Sequence, residues 1–447
     1  MRAFLFALVA TAFAGVAGAA ADLSAVVQKR SVDVYAEPRL DAKRVGKLKQ
    51  NAEVTVSAQQ GLWYRVSAAT GVAGFVRVND VRVSQPGRAD GDANLRALTE
   101  GKGGAGRVTE TAGVRGIDES DLRSASLDSA QLAALMANRV DAETAATYAA
   151  AQGWQATAVA YAAEARPAKT TDVASGPSMS SKASAAKSAV GGLLGSFGLP
   201  TPSVPTAVDQ ALAVAPKPEE QIAAEERALG PEIAGRVLGA RPLWIDAAAQ
   251  KRVNLVGRWV ASQTSRPDLP WSFGVIDTPE VNAFAAPGGF VLVTRGLYEL
   301  LSSDAEVAAV LGHEIGHCVR RDHYAVIQQQ EMASLGKDRA LANVNISAGG
   351  GPAAYARRYA EEHGATILLT SLDREAEYRA DEAAEIYLAR SGMNPLALYA
   401  VLQKMAALGE ESAALAQLYA THPSLPARLD RLDQRGAGEL KPYLKRE

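Results

Sequence analysis

The spacing of apolar and polar positions divides the chain into three textures. From residue 25 to about 86, short runs alternate apolar and polar positions: Ser31 to Tyr35, Arg44 to Lys49, Glu53 to Ser57, Trp63 to Ser67, Gly74 to Val78 and Val81 to Ser84. Asn51, Gly61, Gly71 and Asn79 punctuate them, the pattern of strands joined by tight turns in a small all-β barrel. From 87 to 220 the chain is rich in Ala, Gly, Ser, Thr and Pro. That texture predicts a linker containing a helical segment near 122–165, with Lys169 to Pro218 flexible. From 221 to 436, helical periodicity alternates with one clear strand, which predicts a mainly helical α+β domain with a small sheet.

The first 21 residues begin Met-Arg, continue apolar from Phe4 to Val16 and finish on small residues. This pattern is expected of a secretory signal peptide, and hence of an exported, periplasmic protein. No later stretch offers 18 consecutive apolar residues, so no transmembrane segment is expected in the mature chain. A formal charge of −2 and a pI near 6.3 give no basic footprint for nucleic acid. The single cysteine, Cys318, excludes an intramolecular disulfide and is expected to pack as a small buried hydrophobe.

Candidate chemistry concentrates in the third region, which holds all five histidines. His313-Glu314-Ile315-Gly316-His317 is a His-Glu-x-x-His match, for which this composition allows below about 0.01 chance occurrences. Ser303 and Glu306 form a Ser-x-x-Glu capping box, so a helix should start there and carry the motif to about Val319. On a helix, i and i+4 share a face, which lets both imidazoles turn to one ion with Glu314 beside them. Gly312 and Gly316 cost helix stability but remove side chains where a second helix must come close. Catalytic zinc then needs one more protein ligand, and Glu377 is the candidate. Glu377 and Asp381 are again i and i+4, on a helix expected from Asp373 to Arg390. By spacing alone, a metal-facing pair and a solvated acidic face remain equally open for them, since Glu375, Glu382 and Glu385 lie close by.

Two resemblances narrow these readings. Val32 to Pro38, Arg44 to Leu48, Glu53 to Ser57, Leu62 to Val66 and Gly74 to Val76 resemble a bacterial SH3-like domain. That resemblance implies peptidoglycan or an envelope protein as its partner, with Trp63 and Tyr64 either lining a groove or alternating across a central strand. The second joins four blocks in order. Asn282-Ala-Phe-Ala-Ala-Pro-Gly-Gly-Phe-Val-Leu-Val-Thr-Arg-Gly296, His313 to His317, Glu377-Tyr-Arg-Ala-Asp381 and Thr421-His-Pro-Ser-Leu-Pro-Ala-Arg428 resemble the HtpX/BepA and CAAX-prenyl-protease family of zinc metallopeptidases.

The family resemblance implies a gluzincin-type domain with one Zn2+ per chain. His313, His317 and Glu377 would be its ligands and Glu314 the general base. Asp381 would accept a hydrogen bond from a zinc-binding histidine, and His422 would lie near the metal. It also implies that Gly289 to Thr294 is an edge strand, where Gly289, Val291 and Val293 would pair with an extended protein or peptide substrate. The chain departs from membrane members in lacking their spanning helices, and from many soluble relatives in carrying Arg379 where an acid is frequent. Tyr324 to Thr370 is expected to form a mobile cover over the site. The function expected is endopeptidase cleavage of unfolded or misassembled envelope proteins. The competing reading is an envelope-binding or chaperone-like protein whose zinc is structural or latent, with His422 as fourth ligand.

Overall fold

The computed structural model describes residues 23–83, 119–159, 218–338, 351–409 and 411–446, with side chains described outside 331–338. The expected signal peptide, most of the expected linker and the Gly349-Gly350 part of the expected cover lie outside these residues.

Seven short antiparallel strands form the N-terminal module: β1 (Leu23–Val27), β2 (Ser31–Tyr35), β3 (Arg44–Lys49), β4 (Glu53–Gln60), β5 (Trp63–Ala68), β6 (Ala73–Arg77) and β7 (Val81–Val83). Their order is β3-β2-β6-β5-β4-β1-β7. Inward positions of the alternating pattern, such as Val32, Val34, Val54, Val56 and Val66, make its core. Trp63 and Tyr64 face opposite ways, yet both are buried. Trp63 meets Tyr35 edge-on at 5.4 Å and is covered by the Arg77 guanidinium, which donates to Leu444 O at the far end of the chain. Neither ring lines an open groove.

The module is docked on the helical domain. Gln403 lies on a helix, Leu396–Ala406, and is fully buried. Its Nε2 donates to Val78 O at 2.9 Å and Val81 O at 2.8 Å, and its Oε1 accepts from Val83 N at 2.9 Å. Gln403→Ala would leave two backbone groups of the last strand, and one in the turn before it, without these partners. We expect a loss of about 1–3 kcal/mol in chemical unfolding; an unchanged midpoint would mean that the docking does not hold in solution.

The helical domain begins earlier than the composition suggests. Helices α1 (Glu119–Ser124), α2 (Ser129–Ala137) and α3 (Ala142–Ala151), the latter two capped by Asp128 and Asp141, coincide with the helical segment expected near 122–165 within the linker stretch. They pack on α4 (Glu219–Ala240), α5 (Ala247–Ala261) and β8 (Ser272–Ile276). Asp128 N donates to Gly235 O, and Arg139 Nε to Ser272 Oγ.

The second sheet has the order β8-β10-β9, with β9 at Ala283–Ala286 and β10 at Phe290–Thr294. β10 runs parallel to β8 and antiparallel to β9. The strand expected at an edge is therefore central, with Val291 and Val293 buried and both ladder edges occupied. Gly289, Val291 and Val293 are not available to pair with an extended substrate. Gly288 and Gly289, at φ +77° and +92°, make the turn that lays β9 alongside, and β9 and β8 are the strands at the two ends of the sheet.

Beyond the sheet come α6 (Arg295–Leu300), α7 (Asp304–Arg320), α8 (Asp322–Asp338), α9 (Gly351–His363), α10 (Arg374–Arg390), α11 (Leu396–Ala406), α12 (Ala416–Thr421) and α13 (Leu425–Arg435). The expected cover is helical wherever it is described. Tyr324, Ile327, Ala356, Tyr359, Ile367 and Leu368 join one apolar cluster with Leu229, Ile233 and Phe284, so this segment is anchored by burial.

Candidate metal centre

The site is assembled by packing α7 against α10. Ser303 caps α7 by accepting from Glu306 N, and Asp373 caps α10 by accepting from Ala376 N. At the crossing, a Cβ on Gly312 would stand 3.3 Å from Ala384 Cα, and one on Gly316 3.3 Å from Ala383 Cβ. The two glycines thus permit the close approach that brings the motif to Glu377. The start of α7 is held by a buried ion pair: Lys404 Nζ donates to Glu306 Oε2 at 2.7 Å and to Ser302 Oγ at 2.7 Å. Gln59 of the β module adds a 3.3 Å bond to Glu306 Oε1.

His313, His317, Glu377 and His422 converge, with one ligand atom from each lying within 4.8 Å of the others. His313 Nε2 is 3.2 Å from His317 Nε2 and 3.4 Å from Glu377 Oε2. Glu377 Oε1 is 3.7 Å from His317 Nε2, and Glu377 Oε2 is 3.6 Å from His422 Nε2. Ligands about 2.0–2.2 Å from a tetrahedral ion are separated by about 3.3–3.6 Å, close to these spacings.

The hydrogen bonding is compatible with a metal ion among these residues. His313 Nδ1 lies 2.9 Å from Asp381 Oδ1, and His317 Nδ1 lies 2.8 Å from Asp322 Oδ2. An ionised carboxylate only accepts, so each Nδ1 donates, and in the neutral form that binds a metal each ring turns an Nε2 lone pair inward. Two such lone pairs 3.2 Å apart repel each other. Beside them, buried Glu377 Oε2 accepts no hydrogen bond. A convergent set of acceptors without a donor fits a metal ion.

The electrostatics agree. Burial would raise the Glu377 pKa, but His422, His317 and His313 outweigh it and hold the carboxylate well below its usual range. Burial and Arg428 press His313 down, whereas the carboxylates of Asp381 and Glu377 overcome them and hold it at about 9; the same carboxylates favour a metal ion there. Burial, opposed by Glu377, keeps His422 neutral with a pKa of about 3. Its Nδ1 meets Thr421 Oγ1 at 2.8 Å. Glu314 is buried beside both motif histidines, and desolvation raises its pKa.

Three participants had no role assigned from sequence. Arg428, within the His-Pro block, donates from Nε to Asp381 Oδ2 at 2.9 Å in a buried pair. Burial would raise the Asp381 pKa, but Arg428 and His313 hold it at about 2. Asp322 is the second, and its signal is an acid five residues after His317. His323, which matches no motif block, sits with its ring 5.9 Å from that of His317, and burial lowers its pKa to about 4. His363 instead stacks on Tyr359. Cys318 is buried, with Sγ 3.4 Å from Ala286 O, which agrees with a packing role.

Two histidines one helical turn apart, a glutamate between them and a carboxylate from a second helix have the arrangement of a metallopeptidase centre. The chain carries a domain of peptidase family M48, matched over residues 247–436, behind a bacterial SH3 domain matched over residues 30–81. It is 27% identical over 220 residues to the beta-barrel assembly-enhancing protease of Yersinia pestis, covering 49% of this chain and 45% of that protein. Mitochondrial metalloendopeptidase OMA1 of Arabidopsis thaliana is 30% identical over 188 residues, 40% of this chain and 34% of its own length. Metalloprotease LoiP of Escherichia coli (strain K12) is 28% identical over 166 residues, 37% and 63% respectively. The chain spans less than two thirds of each. Among the described residues no helix is long and apolar enough to cross a membrane.

Proposed function

We propose that this protein is a zinc-dependent endopeptidase that hydrolyses unfolded or misassembled proteins of the cell envelope. The observation that carries the reading is the buried set of inward acceptors on His313, His317 and Glu377, with Glu314 beside them. Family M48 membership of the domain supports peptide-bond hydrolysis. The envelope setting is supported by the likeness to beta-barrel assembly-enhancing proteases.

Zinc held by His313, His317 and Glu377 would supply Lewis-acid polarisation of the reacting groups. The chain's own residues do the rest. Glu314 takes the proton of the attacking water and passes it to the departing amine. A carboxylate whose pKa is raised by burial is a better base, and such proton transfer contributes roughly 10² to 10⁴ in rate. Asp381 fixes the ring of His313, and Arg428 keeps Asp381 ionised. The β module would engage an envelope partner through surfaces other than Trp63 and Tyr64, because both are buried.

The position of His422 favours a second reading, a latent centre. Its Nε2 lies 3.6 Å from Glu377 Oε2, where it could close the site as a fourth protein ligand. The test is cleavage of casein by the zinc-loaded protein, with and without a chelator, in wild type and His422→Ala. Cleavage by wild type that chelator abolishes supports the peptidase. Cleavage that appears or rises only in the variant supports latency. Intact casein with both proteins would reject peptidase activity.

A further inference from the structure

We infer that Asp322 is a positioning residue for His317, the counterpart of Asp381 on His313. The inference rests on the reading of His317 as a metal ligand. Asp322 Oδ2 stands 2.8 Å from His317 Nδ1, with the two side chains 12% and 1% exposed. Because the carboxylate accepts, the proton of the neutral ring sits on Nδ1. The Nε2 lone pair is then aimed at the point shared with His313 Nε2, 3.2 Å away, and Glu377 Oε1, 3.7 Å away.

The backbone is shaped for this contact. α7 ends at Arg321, a non-glycine residue in the left-handed region at φ +64°. This turn starts the next helix at once and returns its first residue, Asp322, to the ring of His317. Arg321 is held in turn: its Nε donates to the buried carboxylate of Glu226 at 2.6 Å, and its Nη atoms bind Glu219. Arg266 makes a second pair with Glu226 at 2.9 Å. A left-handed arginine is unfavourable by itself, and this ion-pair cluster offsets it.

Asp322 differs from Asp381 in one useful respect. Asp381 neutralises buried Arg428, so its removal would orphan a cation; among the described residues Asp322 makes no ion pair with an arginine or lysine. Loss of Asp322 should therefore reach mainly the metal, with a smaller effect on the fold through half-buried Arg320, whose charge Asp322 favours. Because Asp322 is the first residue of α8, the orientation of one ligand also depends on the seating of that helix.

The test is zinc affinity of the full chain, measured by competition with a chromophoric chelator, for wild type, Asp322→Ala, Asp322→Asn and His317→Ala. Losing such a partner weakens metal binding by about 10- to 100-fold, so Asp322→Ala should show that loss. Its thermal midpoint in chelator should fall less than that of Asp381→Ala, by the loss of one buried hydrogen bond, and its cobalt-substituted absorption spectrum should change. Asn, whose amide oxygen accepts the same hydrogen bond, should recover part of the affinity. Asp322→Ala binding zinc within twofold of wild type, or Asn no better than Ala, would overturn the inference while His317→Ala still lost the metal. Wild type that binds no zinc, or His317→Ala that binds as tightly as wild type, would instead overturn the reading beneath it.

Discussion

Glu314→Gln should bind zinc as wild type does and lose turnover by roughly 10² to 10⁴ or more. Gln has nearly the same size and the same acceptor oxygen, so the buried helix face should pack unchanged. It cannot take a proton, however, and the proton of the attacking water then has no nearby carboxylate that is not already engaged. Glu377 faces the three histidines, while Asp381 is locked to Arg428 and His313. Steady-state cleavage of an unfolded protein, with metal content measured on the same samples, checks this. Full activity at full zinc loading would show that Glu314 is not the base.

Arg428→Ala should be the most destabilising single change at the site. Arg428 and Asp381 are 4% and 2% exposed in the side chain and bind through two nitrogens and two oxygens. Removing the cation leaves a carboxylate in an apolar enclosure with only the His313 N–H. Breaking a buried pair in this way costs about 3–5 kcal/mol. Denaturant unfolding of Arg428→Ala beside Asp381→Asn/Arg428→Ala separates the causes. If the uncompensated charge is responsible, the double variant recovers stability relative to the single one; equal stabilities would assign the loss to packing alone.

What could be read from the sequence follows the range over which each feature is encoded. The motif helix was legible because its chemistry is local: a cap at Ser303, two histidines one turn apart and two glycines spaced to admit another helix. The alternating strands of the β module were legible for the same reason. Glu377 and Asp381 share a helix face by spacing, but whether that face meets metal or solvent depends on the packing of α7 on α10, which neither segment encodes alone.

Features set by long-range contacts were not legible. The edge placement of β10 is what the family resemblance implies, and the pairing that makes it central is not legible: β9 is Ala-Phe-Ala-Ala, and β8 lies well upstream in the chain. The helices at 119–151 fall in the helical segment expected near 122–165, but their small, Ala-rich composition does not show that Leu135 and its neighbours are buried against the helical domain. Asp322 escaped notice because its contact with His317 depends on one left-handed residue after the helix end. The docking of the β module likewise rests on a polar residue, Gln403, in a mostly apolar helix, and its partners Val78, Val81 and Val83 lie far away in the sequence.

Anomalous diffraction at the zinc edge from crystals of the zinc-loaded protein tests the central claim most directly. The account requires a single strong peak about 2.0–2.2 Å from His313 Nε2, His317 Nε2 and a Glu377 carboxylate oxygen. A protein with no peak among these residues, or with its zinc bound elsewhere, would contradict it.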